Sequence, residues 1–165
     1  MIGAWTRLEE PEYSSVWGAF DKQFEFTPTG GRPLQAIRDP TPSVTFDIRG
    51  ISDAVAAEVE ASARRAFISD FGSDIEVLVL DWQHEAFRVR PGQEAPAAVG
   101  ADGYPLVPSV LPDGDYYIHT TIDLENGTFG HPWEPSLCVF GPKLTFSLGN
   151  DLRAVLPVLR ETGVS

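Results

Sequence analysis

The chain has 165 residues, 42% of them hydrophobic and 22% charged, the balance of one folded domain and not of a disordered segment. Its 12 basic and 24 acidic side chains leave a net charge of -12, which repels nucleic acid and anionic membrane surfaces. The partners this charge admits are a small-molecule ligand or a basic protein, and oligomeric state is left open. The single cysteine, Cys138, excludes an internal disulfide. The first residues show no signal-peptide pattern, and no apolar run approaches the ~18 residues of a membrane span, so a cytoplasmic protein is expected.

Tyr13, Val16, Trp17, Phe20 and Phe24 recur at helical spacing behind Pro11, which predicts a first helix with an aromatic stripe. Residues 27–42 contain four prolines and Gly30-Gly31, hence a loop. Val44, Phe46 and Ile48 then alternate with Thr45, Asp47 and Arg49, a strand with one buried face. Ser52 is placed to cap a second helix whose apolar positions are Val55, Val59, Ala63, Ala66 and Phe67, ending at Gly72.

Val77-Leu78-Val79-Leu80 is a continuous apolar run, so it is expected as a central strand covered on both faces, with a shorter strand following over 86–90. Residues 91–114 hold five of the 14 prolines, and a loop of that length is expected to act as a lid or to be mobile. Over 116–124 strict alternation predicts a strand, and Asn126-Gly127 predicts a tight hairpin turn after it. Residues 137–140 and 144–148 read as further strands, and a short final helix is expected from Asn150, carrying Leu152, Val155, Leu156 and Leu159 up to a break at Pro157.

Strands in the middle and helices at both ends define a single α+β domain over 1–165, with a mostly antiparallel, twisted sheet. Helices are expected on one face. The other is expected to be polar and to bind ligand, with Thr45, Asp47, Arg49, Asp115, Tyr117, His119 and Thr121 upon it, if the strands are neighbours.

Three longer segments carry a resemblance: Asp81-Trp82-Gln83-His84, Pro112 to Ile118 (PDGDYYI) and Gly127 to Glu134 (GTFGHPWE). With Pro42 to Asp47 and Leu137 to Gly141, they are similar to a bacterial, mainly actinobacterial, family of single-domain proteins of unknown function. The resemblance implies one fold and a bacterial origin. It assigns no activity, cofactor or catalytic residue.

All three histidines lie in or beside those segments, each near carboxylates: His84 with Asp81 and Glu85, His119 with Asp115 and Asp123, His131 with Glu134. Imidazole titrates near neutrality, and a carboxylate fixes its tautomer and raises its basicity, the minimal unit for acid–base work. The candidate catalytic groups are therefore His131, His84, Asp115 and Glu134. Trp82, Tyr117, His119, Trp133, Arg49 and Asp47 are the candidate ligand-binding positions. His131-Pro132-Trp133-Glu134 is stiffened by two prolines and so is suited to presenting side chains at low entropic cost. The plainer reading for each histidine is a satisfied structural hydrogen bond.

No His-x-x-x-His or Cys-x-x-Cys spacing fixes a metal, so ligands would have to come from separate strands. Cys138, in Leu-Cys-Val-Phe, reads as an inert buried thiol. Two functions remain: an enzyme or ligand-binding domain with a His/carboxylate pair in an aromatic-lined pocket, or an acidic interaction module, of immunity or regulatory type, for a basic protein.

Overall fold

The computed structural model describes residues 5–93 and 99–164. In chain order its elements are β1 (Trp5–Arg7), α1 (Glu12–Phe24), β2 (Ser43–Asp47), α2 (Asp53–Phe71), β3 (Val77–Asp81), β4 (Phe87–Val89), β5 (Tyr117–Thr121), β6 (Gly127–His131), β7 (Ser136–Phe140), α3 (Pro142–Phe146), α4 (Leu148–Arg153) and β8 (Val158–Thr162). The strands form one sheet in the order β1-β4-β3-β5-β6-β7-β2-β8, every neighbouring pair antiparallel. The α+β antiparallel fold is thus as expected. Among the described residues no helix is long and apolar enough to cross a membrane.

The sheet is covered on both faces, which corrects the expected open polar face. Alternation along β3 sends Val77 and Val79 to one side and Leu78 and Leu80 to the other. The first side packs under Val59, Ala63, Ala66 and Phe67 of α2 and Leu144, Leu148 and Leu152 of α3 and α4. The second packs under Phe20 and Phe24 of α1, with Ile118, Phe129, Cys138 and Phe140. A fully buried phenylalanine such as Phe20 contributes roughly 1.5–3 kcal/mol, so the short α1 holds its face largely through its aromatic stripe. The cross-strand row Val79–His119–Thr128–Val139–Val44 lies on the α2 side, whereas Thr45 and Asp47 belong to the α1 side. Residues gathered onto one imagined surface are therefore split between two.

α2 starts where expected, with Ser52 Oγ accepting from Val55 N at 3.1 Å, and it ends at Gly72 with φ +96°. The strand expected over 144–148 is instead α3 and the start of α4. Leu144, Leu148 and Leu152 form a buried i, i+4 stripe, and Phe146, which a strand would have buried, is 77% exposed. Gly141, with φ +96°, sits where a Cβ would lie 2.3 Å from Asn126 Oδ1, the atom that caps α3 by accepting from Lys143 N and Leu144 N. Asn126 is thus committed to a helix cap. The chain reverses over 121–126, with Leu124 left-handed at φ 61°, and not in a two-residue Asn-Gly turn. The expected last helix likewise stops at Arg153, and β8 follows as an edge strand.

The 91–114 segment includes residues 94–98, which lie outside the described residues. Its later part folds onto the α2 side of the sheet, where Val110 is 3% exposed. Glu60 on α2 accepts from Val110 N at 3.0 Å and from the Ser109 hydroxyl. Gly130 makes this approach possible, since a Cβ there would meet Pro112 Cδ at 2.9 Å and Val110 O at 3.0 Å.

Candidate functional site

β3 ends at Asp81, and the turn Asp81-Trp82-Gln83-His84 doubles back. His84 N donates to Asp81 O at 3.0 Å, and Gln83 takes a left-handed φ of 65°. That conformation is uncommon and mildly costly for a side chain larger than glycine, and it returns His84 over Asp81. α1 pins the turn from its far side, with Tyr13 Oη donating to His84 O at 2.8 Å. On the neighbouring strand, Asp115 precedes β5, its Oδ1 accepting from Tyr116 N at 2.9 Å.

The turn and the strand start bring three side chains together. His84 Nδ1 donates to Asp115 Oδ2 at 2.9 Å and to Asp81 Oδ1 at 3.2 Å, and the Asp81 and Asp115 carboxylates lie beside each other, within 4.8 Å. The two carboxylates are 19% and 18% exposed and the imidazole 65%, so a solvent-facing ring stands on a half-buried acid pair. Burial and the neighbouring Asp115 push Asp81 up to about 7. Partial burial opposes protonation of His84, but the charges and hydrogen bonds of both aspartates outweigh it and raise its pKa. Tyr117, in register with Asp81, is pushed up to about 12 by burial and by Asp81, Asp113 and Asp115. Asp81 and His84 are thus both shifted toward their protonated forms.

His84 and Asp81 face a groove of about 770 Å³ whose walls include Arg7, Tyr13, Tyr104 and Leu106. Glu9, Glu10, Glu85 and Asp102 also line it, leaving Arg7 as the only lysine or arginine among the lining residues. The ligand-capable atoms of Asp81, His84 and Asp115 lie within 4.8 Å of one another, so the same residues could hold a divalent cation with ligands drawn from a turn and a separate strand.

The other expected site residues fall elsewhere. His131, expected as an acid or base, is 2% exposed with both ring nitrogens occupied. Nε2 donates to Leu34 O at 2.6 Å, and Nδ1 accepts from Trp133 N and Glu134 N at 3.1 Å. Burial, the leading cause, keeps its pKa low. The stiff His-Pro-Trp-Glu corner thus uses its histidine to hold its own backbone. Glu134 is forked onto Arg160 at 3.0 Å and accepts from Ser136 Oγ at 2.6 Å; these contacts outweigh burial and lower its pKa. Trp133 is 41% exposed at that corner. Asp47 and Arg49 pair locally at 2.7 Å, and Trp82 packs edge-on against Tyr116 at 5.8 Å on the α1 side. His119 lies on the α2 side, in the wall of a separate cavity. Of the expected catalytic groups, the structure joins His84 and Asp115, and the third member, Asp81, is one the sequence offered only as a neighbour of His84.

An antiparallel α+β domain with a His–Asp–Asp cluster at one end of its sheet, opening on an acidic groove, is the class of protein these features define. The chain belongs to the DUF2716 family, described as a protein of unknown function, whose family model matches residues 7–145 and so spans the whole cluster. It is 31% identical over 156 residues to the uncharacterized protein YxiI of Bacillus subtilis (strain 168), covering 89% of this chain and 93% of that one. No solved structure matches.

Proposed function

We propose that the protein binds and acts on a small, positively charged or amine-bearing molecule by general acid–base chemistry, with His84 as the proton-transferring group. The carrying observation is the contact of His84 Nδ1 with both carboxylates, at 2.9 and 3.2 Å. Their acceptance of the Nδ1 proton orients the ring and leaves Nε2 with no hydrogen-bond partner among the described residues. Asp81 and Asp115 share the compensating charge, and the raised Asp81 stands as a proton reservoir. The acids of the groove supply the attraction for a cation. The single buried cysteine fits a cytoplasmic setting, as the proposal assumes.

A second reading has support in the same acids: a lysine- or arginine-bearing segment of a basic protein would also be drawn to this groove. One titration separates the two. The ¹⁵N-labelled protein is exposed to small amines, to neutral and anionic analogues of equal size, and to a polylysine peptide. The enzyme reading expects saturable shifts at residues 81–85 and 115–117 for the amines, lost in His84→Ala and Asp81→Asn. Binding of the peptide alone, steeply salt-dependent and indifferent to His84→Ala, supports the interaction module. If no probe shifts those residues, both readings fail.

A further inference from the structure

A second, smaller cavity lies on the α2 side of the sheet, beneath the segment that returns over Gly130. It has a volume of about 150 Å³. Ala63 and Phe67 of α2 form one wall, and Val77, Val79 and Val89 the opposite one, with Val107 and Val110 closing it. α2 ties down both margins one helical turn apart. Glu60 holds the backbone and side chain of the 109–111 turn, and Arg64 Nε donates to Pro91 O at 2.8 Å. Both charged residues at the rim are therefore engaged by the protein itself.

One polar ring interrupts the apolar lining. His119 stands in the wall, and its Nε2 is buried with no partner among the described residues. The hydroxyl of Thr128, its cross-strand neighbour, is likewise buried and unpartnered. A buried nitrogen without a partner costs about 1–3 kcal/mol, more than a fold ordinarily leaves unrecovered at a single side chain. Burial lowers the ring's pKa to about 4 and keeps it neutral, so with the proton on Nδ1 the unpartnered Nε2 is an acceptor. An apolar cavity of similar volume accepts a benzene-sized ring.

We propose that this cavity binds a small neutral molecule with an apolar, ring-sized body and one hydroxyl or N–H group that donates to His119 Nε2. Reaching that nitrogen takes a rotation of the His119 ring or a small shift of Val107 and Val110, the residues that close the site. The site is separate from the Asp81 cluster, and it stands whether or not that cluster is catalytic.

The test compares p-cresol with toluene, two rings of nearly equal size that differ by the donor, using chemical-shift titration of the ¹⁵N-labelled full chain. Saturable binding of p-cresol is expected, with shifts at 77–79, 107–111 and 119. The hydroxyl should improve its affinity over toluene by about tenfold, the worth of one buried hydrogen bond. His119→Leu should bring the two probes to equal affinity. Ala63→Met, which fills the cavity, should abolish binding of both. Absence of saturation by p-cresol overturns the proposal, as does a preference for it that survives His119→Leu. Should Ala63→Met fail to fold, the His119→Leu comparison decides alone.

Discussion

The sharpest test of the acid pair is the pH dependence of stability in Asp81→Asn. Asparagine has the shape of a protonated aspartate, so at low pH the substitution changes little. As pH rises, an unfolded Asp81 ionises near 3.8, whereas the folded one waits until about 7. Between those values the native state binds more protons than the unfolded state, so stability falls with increasing pH. The ceiling of that loss is about 4 kcal/mol, from roughly 1.36 kcal/mol for each pH unit that separates the folded from the unfolded ionisation. Solvent reaching the partly exposed pair screens part of it, and roughly 1–3 kcal/mol is the realistic size. His84 itself is raised, so its contribution is present below 6.5 and is lost as pH climbs through its folded value. Both contributions run in the same direction in the wild type, and Asp81→Asn removes the larger.

Urea unfolding followed by the fluorescence of the four tryptophans, at pH 4, 6 and 8, measures this directly. The variant should match the wild type at pH 4 and exceed it by about 1–3 kcal/mol at pH 8. A variant that loses stability increasingly as pH rises would mean that Asp81 is an ordinary ionised partner of His84⁺. The proton-sharing account of the site would then be wrong.

Three further outcomes test the remaining assignments. His131→Ala should cost about 2–4 kcal/mol in urea unfolding, because it removes a buried ring and takes the partner from Leu34 O and from two half-buried backbone N–H groups; a neutral effect would return His131 to the list of site residues. Arg160→Met, which releases Glu134 at 3.0 Å and Asp39 at 3.2 Å, should cost about 1–3 kcal/mol, and this cost should shrink at pH values low enough to protonate Glu134. Cys138, 3% exposed and pushed up to about 12 by burial, should resist iodoacetamide in the native protein at pH 8 and react only after unfolding; fast native labelling would contradict its place in the core.

The places where sequence reasoning succeeded and failed share a physical cause. Elements whose burial is strong and one-sided were legible: the aromatic stripe of α1, the Ser52 cap of α2 and the apolar run of β3. The edges β1 and β8 were not, because strands that bury little carry little alternation. Leu144, Phe146 and Leu148 satisfy a period of two, and Leu144, Leu148 and Leu152 satisfy a helical one; burial of the second set, with Pro142 opening the helix after Gly141, settles the matter.

The polar face failed for a deeper reason. Alternation tells which residues of one strand share a side, but it cannot say that the polar side of β2 and that of β5 are the same side. Here they are opposite, with Thr45 on the α1 side and His119 on the α2 side. What survives is the part that needed no such assumption. Asp81-Trp82-Gln83-His84 places a carboxylate and an imidazole at i, i+3 across a turn, a local relation. Adding Asp115 required only that β3 and β5 be neighbours, which the apolar character of β3, a strand paired on both sides, made a natural outcome. A site assembled at strand ends from local turns can therefore be found from sequence more readily than one spread across a sheet face. Such ends also suit proton chemistry, since a side chain just past the last ladder bond has core behind it to shift its pKa and solvent in front to exchange its proton.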